Sequence, residues 1–546
     1  MTKYIFITGG VISGLGKGIT SASVGLMLKD KGYKVANVKC EMYVNIDAGT
    51  IRPTEHGEVF VTEDGIETDQ DIGNYERFLN HDHHAENFIT TGQIYQTVIK
   101  RERNFEYEGE DVEVVPHVPE EIISRIEAAG NKNIDFVISE FGGTVGEYQG
   151  VLFLEAARMM EVRNPENVVH IHVSYLPTPQ TIGEMKTKPV QYSVRTLNAA
   201  GIKPHFVVGR AGYPLDDKRK EKISQFCSVP KDHVISNHDV GSAYEVPMVL
   251  AEQKFGDKIL KQFDLPLRKK GTQSKGLLKE WGNLAKTIKS VKKEVKIGIV
   301  GKYFATGEFT LEDSYISVIE AIKHACWHHK IKPVVQWINA EAYEKNPEKV
   351  KELDDYDGII IPGGYGKRGT EGKIKALKYA RKNKIPFLGL CYGLQMATIE
   401  FARNVCGLKD ANSVEINPKT PHPVINLMPE QEKLMKEKNY GGTNRLGAYP
   451  CVLTKGGIAQ KAYSTDEISE RHRHRYEFNN DYRDKLTKAG LQIGGVYKKW
   501  DLVEIVELPD HPFFVGTQFH PEFQSRPLDP HPLFKGFVEA AKKQSH

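Results

Sequence analysis

The loop at residues 9–18 constrains the fold of this chain more than any other stretch, and it reads Gly-Gly-Val-Ile-Ser-Gly-Leu-Gly-Lys-Gly. It follows the apolar run at residues 4–8, which is typical of a buried strand, and it precedes residues 19–31, where apolar side chains recur at helical spacing. This is the layout of a phosphate cradle, because glycine amides, a helix N-terminus and the charge of Lys17 all favour a bound anion. We therefore expect a nucleotide-binding α/β fold.

The match to the usual phosphate loop is incomplete. That pattern has a glycine, four further residues and then Gly-Lys-Ser/Thr. Counting back from Gly16 places Val11 where the first glycine belongs, and Gly18 replaces the hydroxyl residue. A glycine-rich turn with an incidental lysine is the alternative to a phosphate loop. The loop pattern alone does not distinguish the two, so the distinction depends on the rest of the sequence.

The composition excludes several classes of protein. The chain has 546 residues, of which 40% are hydrophobic and 27% charged, as in globular proteins with more than one domain. Its net charge of +3 argues against a dedicated nucleic-acid binder. No apolar run of about eighteen residues predicts a membrane span, and no signal-peptide layout precedes the first strand. The six scattered cysteines form no Cys-x-x-Cys motif, so we expect free thiols and a cytoplasmic location.

The alternation of apolar runs with helix-length segments predicts two α/β domains, each with a mostly parallel, doubly wound sheet. The strand-like runs of the first domain lie at residues 4–8, 34–40, 135–141, 168–176, 204–210 and 233–236. Those of the second domain lie at residues 296–300, 333–338, 358–361, 386–390 and 514–519.

A lysine-rich stretch at residues 267–294 separates the two patterns and contains only two acids, Glu280 and Glu294. We interpret it as a linker with a short helix at residues 277–288. A basic nucleic-acid patch is the less favoured alternative, because Trp281 is its only aromatic residue. The predicted domains are therefore residues 1–266 and 295–546, joined by the linker 267–294.

Two carboxylates are candidates for a metal site near the glycine loop. Glu140 closes the apolar run 136–139, and ligands of parallel sheets sit at the carboxyl ends of strands. Asp71 is the natural second carboxylate, because Mg²⁺ takes oxygen ligands and completes its shell with water and phosphate. We predict Mg²⁺ at Asp71 and Glu140. The alternatives are a turn-capping role for Glu140 and a solvated loop position for Asp71.

A nucleophile stands between glycines in the second domain. Cys391 follows the run 386–390 and precedes a helical stretch, which is the arrangement of a nucleophile elbow. The helix N-terminus would lower the pKa of its thiol. His520 and Glu522 supply a base and a carboxylate that orients it, and the amides of Tyr392 and of Gly363-Gly364 are candidate oxyanion donors. A structural buried cysteine with an unrelated histidine is the alternative.

These motifs together carry a family resemblance. Gly363-Gly364, residues 389–395 and His520-Pro521-Glu522 resemble a class I glutamine amidotransferase domain. The whole chain resembles the CTP synthase family. The stretches that carry this second resemblance are residues 9–18, 45–47, 56–64, 142–146, 186–191 and 471–476.

The resemblance implies a reaction and its partners. ATP would phosphorylate the 4-oxygen of UTP, and ammonia from glutamine, carried through an internal tunnel, would displace the phosphate. The products would be CTP, ADP, phosphate and glutamate. The resemblance also implies Mg²⁺, activation by GTP, inhibition by CTP and a homotetramer that can stack into filaments. Neither nucleic acid nor a membrane is expected as a partner.

The resemblance further implies the site residues, position by position. The catalytic residues would be Lys17, Cys391, His520 and Glu522. The ATP site would comprise Gly14, Leu15, Gly16, Lys17, Gly18, Ile19, Asp71, His238, Asp239 and Val240. The UTP or CTP site would comprise Ser13, Glu147, Tyr148, Gln149, Lys186, Thr187, Lys188, Pro189, Val190, Gln191 and Lys222. The glutamine pocket would comprise Gly364, Tyr392, Gly393, Leu394, Gln395, Glu415 and Arg475.

Three stretches depart from the family pattern. Residues 41–43 read Glu-Met-Tyr where Asp-Pro-Tyr is common, and residues 147–149 read Glu-Tyr-Gln where Asp-Ile-Glu is usual. The second departure falls in the implied contact with inhibitory CTP, so inhibition by CTP does not follow from the resemblance at these positions. Tyr392 stands where the elbow usually has leucine, and we expect activity to survive because the residue contributes its backbone N–H.

Two other functions fit parts of the sequence. One is another glutamine-dependent P-loop amidoligase, such as an enzyme that amidates a corrinoid. The other is a P-loop switch or scaffold that forms polymers and carries an inactive glutaminase domain. The stretch at residues 186–191 favours UTP over the first alternative, and the intact Cys391, His520 and Glu522 argue against the second.

Overall fold

The computed structural model describes residues 1–130, 133–181, 183–267, 276–302, 305–306, 309–310, 312–427 and 444–544. Contacts divide the chain into two compact units, Met1–Asp47 with Asp71–Lys286 and Ala48–Gln70 with Thr287–His546. The segment 48–70 therefore packs with the second unit, although residues of the first unit flank it in sequence. The predicted boundaries after residues 266 and 294 stay a prediction, and residues 268–275 of the predicted linker lie outside the described residues.

The strands are β1 Lys3–Gly10, β2 Val35–Glu41, β3 Phe60–Val61, β4 Glu67–Thr68, β5 Phe88–Thr90, β6 Phe136–Phe141, β7 Val168–Tyr175, β8 Phe206–Ala211, β9 Val234–His238, β10 Glu294–Gly301, β11 Ala305–Thr306, β12 Phe309–Thr310, β13 Lys332–Asn339, β14 Gly358–Ile361, β15 Phe387–Leu390, β16 Ala411–Ser413, β17 His422–Leu427, β18 Arg445–Leu453, β19 Glu467–His474, β20 Tyr476–Phe478, β21 Gln492–Tyr497, β22 Leu502–Glu507 and β23 Phe514–Thr517. The α-helices are α1 Lys17–Asp30, α2 Pro53–His56, α3 Gln70–Leu79, α4 Thr91–Arg103, α5 Val114–Ala128, α6 Val151–Arg163, α7 Lys188–Ala199, α8 Asp217–Cys227, α9 Val246–Glu252, α10 Phe255–Gln262, α11 Leu277–Ser290, α12 Ile316–His328, α13 Ala340–Lys345, α14 Thr370–Asn383, α15 Tyr392–Asn404, α16 Ile458–Tyr463, α17 Arg483–Lys488 and α18 Pro532–Gln544. Short 3₁₀ helices cover Ala85–Asn87, Tyr148–Gly150, Pro165–Asn167, Lys231–His233, Ala243–Glu245, Glu312–Tyr315, Pro347–Asp355, Asn480–Tyr482 and Pro521–Gln524.

A seven-stranded parallel sheet forms the centre of the first unit, in the order β5-β2-β6-β1-β7-β8-β9. Both faces are covered, since Ile5 and Ile7 of β1 pack in one core cluster and Phe6 in another. Strands β2, β5 and β6 lie on one side of β1, and β7, β8 and β9 lie on the other. The carboxyl end of β1 is therefore at the switch point where such sheets bind ligands.

The second unit is built on a nine-stranded mixed sheet, in the order β13-β10-β14-β15-β23-β22-β21-β18-β19. Neighbours are parallel from β13 to β23 and antiparallel from β23 to β19. Core clusters cover both faces, with Ile359 and Ile361 of β14 in one and Ile360 in the other. β15 ends one residue before the predicted nucleophile Cys391, and β23 ends three residues before His520.

The predicted fold class is confirmed, because both units are α/β and each contains a parallel, doubly wound arrangement. Every strand-like run found in the sequence overlaps a strand. The antiparallel half of the second sheet was not predicted, because a strand such as β19, with the sequence Glu-Ile-Ser-Glu-Arg-His-Arg-His, has no apolar run. Among the described residues, no helix combines the length and the hydropathy that a membrane crossing requires.

Candidate active sites

The glycine loop leads from β1 into α1 and leaves the N-terminal end of that helix without a cap. Gly16 is the N-cap residue, with a φ of 76°, and as a glycine it makes no side-chain cap hydrogen bond. Val11, where the usual pattern has its first glycine, also has a positive φ, of 86°. This conformation suits glycine better than a β-branched residue. The first-turn amides of α1 remain for a bound anion.

Lys17, the first residue of α1, folds back across the end of β1. Its Nζ donates to Gly143 O at 2.7 Å, so it connects the glycine loop with the segment after β6. A Cβ on Gly9 would lie 2.7 Å from Cδ of this lysine, so a side chain at residue 9 would displace Lys17. Burial lowers the pKa of Lys17, and the Glu140 carboxylate opposes that shift.

Three carboxylates surround the Lys39 ammonium at the carboxyl ends of β2 and β6. Glu140 Oε1 lies 3.1 Å from Lys39 Nζ, Glu41 Oε1 lies 3.2 Å from it, and Asp71 Oδ2 accepts a hydrogen bond from it. The structure thus brings Asp71 and Glu140 together on one cation. Burial raises the pKa of Glu140, and the charge of Lys39 opposes the shift. Sequence reasoning named neither Lys39 nor Glu41 as a site residue.

Gly18 makes room for the Asp71 carboxylate. A Cβ on Gly18 would lie 2.1 Å from Asp71 Oδ1, so a serine or threonine at this position would collide with it. Asn74 Nδ2 donates to Asp71 Oδ1 at 3.3 Å, and the Tyr75 hydroxyl donates to Glu140 Oε2. Two carboxylates beside the uncapped start of α1 are oxygen ligands of the kind that Mg²⁺ takes, so these residues fit the predicted ion.

The end of β9 approaches the same helix. Asn237 Nδ2 donates to Thr20 Oγ1 of α1 at 3.3 Å, which places His238, Asp239 and Val240 near the glycine loop. Arg210, at the end of β8, pairs with Asp239 Oδ1 at 2.8 Å, and its Nε lies 4.0 Å from the position of a Cβ on Gly16. Arg210 was missed, although a cation at the carboxyl end of a predicted strand is a usable signal.

The predicted pyrimidine-binding residues lie in separate segments. Lys186, Thr187 and Lys188 flank the start of α7, which runs beside the loop after β6, since a Cβ on Gly146 would lie 3.3 Å from Thr196. Lys186 Nζ forms an ion pair with Glu184, which is not one of the predicted residues, at 2.6 Å. Ser13, Gln149 and Lys222 are exposed.

The second departure from the family pattern has a local structural role. The Glu147 carboxylate accepts from Thr144 N at 2.8 Å and from Thr144 Oγ1 at 2.6 Å. Tyr148, the next residue, is 95% exposed. The carboxylate at residue 147 is thus engaged by its own loop.

Cys391 sits on a strained turn between β15 and α15. Its φ is 50° and its ψ is −95°, values that a non-glycine residue rarely adopts. Its N–H donates to Thr517 O at 2.7 Å. Neighbouring glycines permit the turn, because a Cβ on Gly393 would lie 2.4 Å from Ile361 O and one on Gly389 would lie 2.8 Å from the carbonyl carbon of Gly393. Sequence and geometry thus agree on a nucleophile elbow.

His520 and Glu522 form a buried pair next to this cysteine. His520 Nδ1 lies 2.7 Å from Glu522 Oε1. Burial alone would lower the pKa of the imidazole, but Glu522 and Cys391 outweigh it and raise the pKa to about 10. The Cys391 thiol also lies 3.7 Å from Arg473 O and 3.7 Å from Gln518 Nε2, two contacts that sequence reasoning missed.

Five of the predicted glutaminase residues line a cavity of about 590 Å³ within the second unit, and Tyr392, Gly393, Leu394, Gln395 and Glu415 are not among its lining residues. Its lining includes Cys391, His520, Glu522, Gly364 and Arg475. Of the other predicted pocket residues, Glu415 accepts from Gly366 N at 2.7 Å and Gln395 Nε2 donates to Tyr476 O at 2.9 Å. A small substrate with an amide group could enter such a space and meet the thiol.

The segment 48–70 completes the wall of this cavity. Glu67 pairs with Arg473 at 2.6 Å, and Gly49 has no room for a Cβ because the Glu67 carboxylate would lie 2.0 Å from it. The Phe60 ring packs against Phe523 at 4.9 Å. Sequence reasoning gave this segment no role in the glutaminase site, and no local pattern pairs residues about 400 positions apart.

Two family models match the chain, one described as CTP synthase N-terminus at residues 3–265 and one described as glutamine amidotransferase class-I at residues 310–540. The CTP synthase of Caldanaerobacter subterraneus subsp. tengcongensis is 51% identical over 99% of this chain and 98% of its own. The CTP synthase of Pyrococcus abyssi is 49% identical over 100% of this chain and 98% of its own. A solved structure of a Trypanosoma brucei CTPS glutaminase domain with bound acivicin is 39% identical and covers 46% of this chain and 95% of its own, with a TM-score of 0.43.

Proposed function

The chain belongs to the CTP synthase family, and from this premise we propose how its two units divide the reaction. The protein is a glutamine-hydrolysing ligase that uses ATP to convert UTP into CTP. We assign activation of UTP to the first unit and release of ammonia to the second. One observation supports this division above all others: each unit holds its own set of reactive groups at the carboxyl end of its own sheet.

In the first unit, the glycine loop and Lys17 would bind the phosphates of ATP. The 4-oxygen of UTP attacks the γ-phosphorus, ADP leaves, and a poor leaving group becomes a good one. Mg²⁺, which Asp71 and Glu140 would hold, supplies neutralisation of the charge on the transferred phosphoryl group. The convergence of Asp71 and Glu140 on one point, at the carboxyl end of the sheet, supports the assignment. Ammonia then attacks C4 of the pyrimidine, and phosphate leaves.

In the second unit, Cys391 Sγ would attack the side-chain amide of glutamine. The amides of Tyr392 and Gly364 would stabilise the oxyanion, and the imidazolium of His520 would protonate the leaving ammonia. Water then hydrolyses the thioester to glutamate, with His520 as the base. Glu522 would hold His520 in the orientation that both steps need. The raised pKa of His520 supports its role as the acid, because it keeps the imidazole protonated and able to donate to the leaving ammonia.

Regulation and assembly stay proposals drawn from the family. We propose GTP as activator, CTP as inhibitor, a homotetramer that can form filaments and a cytoplasmic location. Inhibition by CTP should be weaker than is usual, because the Glu147 carboxylate is already engaged by Thr144. The full-length similarity to CTP synthases argues against a different amidoligase and against a polymerising scaffold.

Two variants separate the proposed sites. Cys391→Ala should abolish CTP formation from glutamine and preserve CTP formation from ammonium chloride, followed by the absorbance change from uracil to cytosine. Lys17→Ala should abolish CTP formation with both nitrogen sources and preserve glutamate release. Loss of both activities in a folded Cys391→Ala protein would contradict the division into two sites, and full ammonia-dependent activity in Lys17→Ala would remove this lysine from phosphoryl transfer.

A further inference from the structure

Tyr392 carries a polar side chain directly after the nucleophile, and that side chain is fully engaged. It is 1% exposed. Its hydroxyl donates to Gly366 O at 2.8 Å and lies 3.0 Å from Thr370 Oγ1. An aliphatic side chain, which is usual at this position of the elbow, makes neither contact. The tyrosine therefore links the start of α15 to the loop that follows β14.

That loop carries Gly364, the second proposed oxyanion donor, and its position is tightly limited. Gly366 N donates to Glu415 Oε1 at 2.7 Å, so the peptide groups on both sides of Gly366 are bound, one by Glu415 and one by Tyr392. Closer to the nucleophile, a Cβ on Gly363 would lie 2.8 Å from the His520 ring. A small shift of this loop would change the distance between Gly364 and Cys391.

A buried lysine faces the ring of the same tyrosine. Lys373 of α14 is 0% exposed, and its Nζ lies 4.8 Å from the centroid of the Tyr392 ring. Within the described residues, this Nζ has no hydrogen-bond partner. Burial lowers the pKa of Lys373 to about 7, so its protonated form is costly, and the face of the aromatic ring offsets part of that cost. The lysine thus favours one position of the tyrosine ring.

We propose that Tyr392 is a positioning residue for the oxyanion hole, held by Lys373 on its ring and joined to Gly366 through its hydroxyl. One side chain then fixes the spacing between the two proposed oxyanion donors, its own amide and that of Gly364. This inference rests on the proposed glutaminase mechanism. It gives the tyrosine side chain a function in addition to the amide that any residue at this position supplies.

The test uses Tyr392→Phe in the full-length enzyme. This variant keeps the ring over Lys373 and removes only the link to Gly366. Glutamate release gives kcat and KM, and ammonia-dependent CTP formation reports whether the first unit is intact. Alkylation of Cys391 by iodoacetamide, corrected with Cys391→Ala, reports thiol reactivity in a displacement that develops no oxyanion. Tyr343→Phe is the matched control, because it removes another buried phenol hydrogen bond of the second unit, to Glu352 at 2.9 Å.

We expect kcat for glutamine hydrolysis to fall about tenfold, less than the roughly hundredfold loss that deletion of an oxyanion donor causes. KM, the alkylation rate and ammonia-dependent synthesis should stay within about twofold of wild type, because the lost interaction acts in the transition state. An unchanged kcat would overturn the proposal. Equal losses of kcat and alkylation would also overturn it, because the side chain would then act on the thiol or on folding.

A double-mutant cycle tests the part assigned to Lys373. Tyr392→Leu and Lys373→Met should each lower kcat, and the double variant should lose less than the product of the two single losses, because two apolar groups replace both partners of one contact. Losses that multiply would show that Lys373 does not act through Tyr392. Wild-type protein without any glutamine hydrolysis would overturn the proposed function itself, which distinguishes that failure from one confined to Tyr392.

Discussion

Replacing Glu522 by glutamine should move the alkaline limb of glutamine hydrolysis to lower pH. His520 Nδ1 and Glu522 Oε1 are 2.7 Å apart, and both side chains are less than a tenth exposed. A charge-assisted hydrogen bond of this kind is worth about 1.5–3 kcal/mol, and one pKa unit corresponds to about 1.4 kcal/mol. Since Glu522 is the main cause that raises the pKa of His520, its neutralisation should lower that pKa by about one to two units.

The sign follows from the role of the imidazole as an acid. A histidine with a raised pKa stays protonated until the pH exceeds that pKa, and it can protonate departing ammonia up to that point. The alkaline limb of kcat should therefore lie near pH 10 in wild type and near pH 8–9 in Glu522→Gln, by the estimate of about one to two units. The position of the limb is the observable, because a less well oriented imidazole lowers kcat at every pH.

The assay is glutamate release at saturating glutamine between about pH 6 and pH 10.5, a range that spans both expected limbs. Glu470→Gln is the matched control, because Glu470 Oε1 pairs with His531 Nε2 at 2.9 Å and both side chains are buried in the same unit. This control should lose stability and keep the wild-type limb. A limb that stays in place in Glu522→Gln, or moves to higher pH, would refute the assignment of His520 as the acid.

Two further substitutions test contacts that hold each site together. Gly18→Ala should abolish CTP formation with glutamine and with ammonia while glutamate release continues, because the new Cβ would lie 2.1 Å from Asp71 Oδ1. Normal CTP formation in this variant would show that the position of the Asp71 carboxylate does not matter for synthesis. Glu67→Ala should reduce glutamine hydrolysis and lower the free energy of unfolding by about 3–5 kcal/mol, because it leaves Arg473 without its buried carboxylate. Denaturant unfolding measures the change in stability. Glu400→Ala is the control: it breaks the Arg381–Glu400 pair, which is 2.7 Å long and buried at Glu400, and it should lose stability but not hydrolysis. Equal hydrolysis in both variants would remove Glu67 from the site.

Local signals account for the parts of the two sites that the sequence predicted. The Cys391 elbow could be predicted because the glycines that permit the turn lie only two positions away on either side, and Gly16 of the loop before α1 is the immediate neighbour of Lys17. The interpretation of Gly18 as a defect in the pattern was incomplete. Its missing side chain leaves space for Asp71, which is remote in sequence, so the pattern alone could not explain the substitution.

Contacts between distant positions account for what the sequence did not predict. Lys39 lies within the strand-like run 34–40 and carries no local signal of a site, whereas the structure surrounds it with Glu41, Asp71 and Glu140. Glu67 and Arg473 pair across about 400 residues, and each alone is an ordinary charged residue. A single sequence gives no signal for such a pair, because neither helical nor strand periodicity extends beyond one element.

The two proposed sites stabilise negative charge by the same backbone device. Gly16 and Cys391 are the N-cap residues of α1 and α15, both have positive φ values, of 76° and 50°, and neither helix has a side-chain cap. Thr90 and Asp216 cap α4 and α8 with their own side chains, whereas Lys254 and Gly369 begin α10 and α14 with positive φ and no side-chain cap. This geometry therefore permits an anion site, and the reactive groups beside α1 and α15 are what distinguish those two helices. An N-cap with positive φ and no capping side chain leaves first-turn amides for a reacting anion, a phosphate at α1 and an oxyanion at α15. Glycine adopts this conformation at little cost, whereas a cysteine there is strained, by about 1–3 kcal/mol. That strain has a reason at Cys391, because the residue in the turn must also supply the nucleophile, and glycine has no side chain to offer.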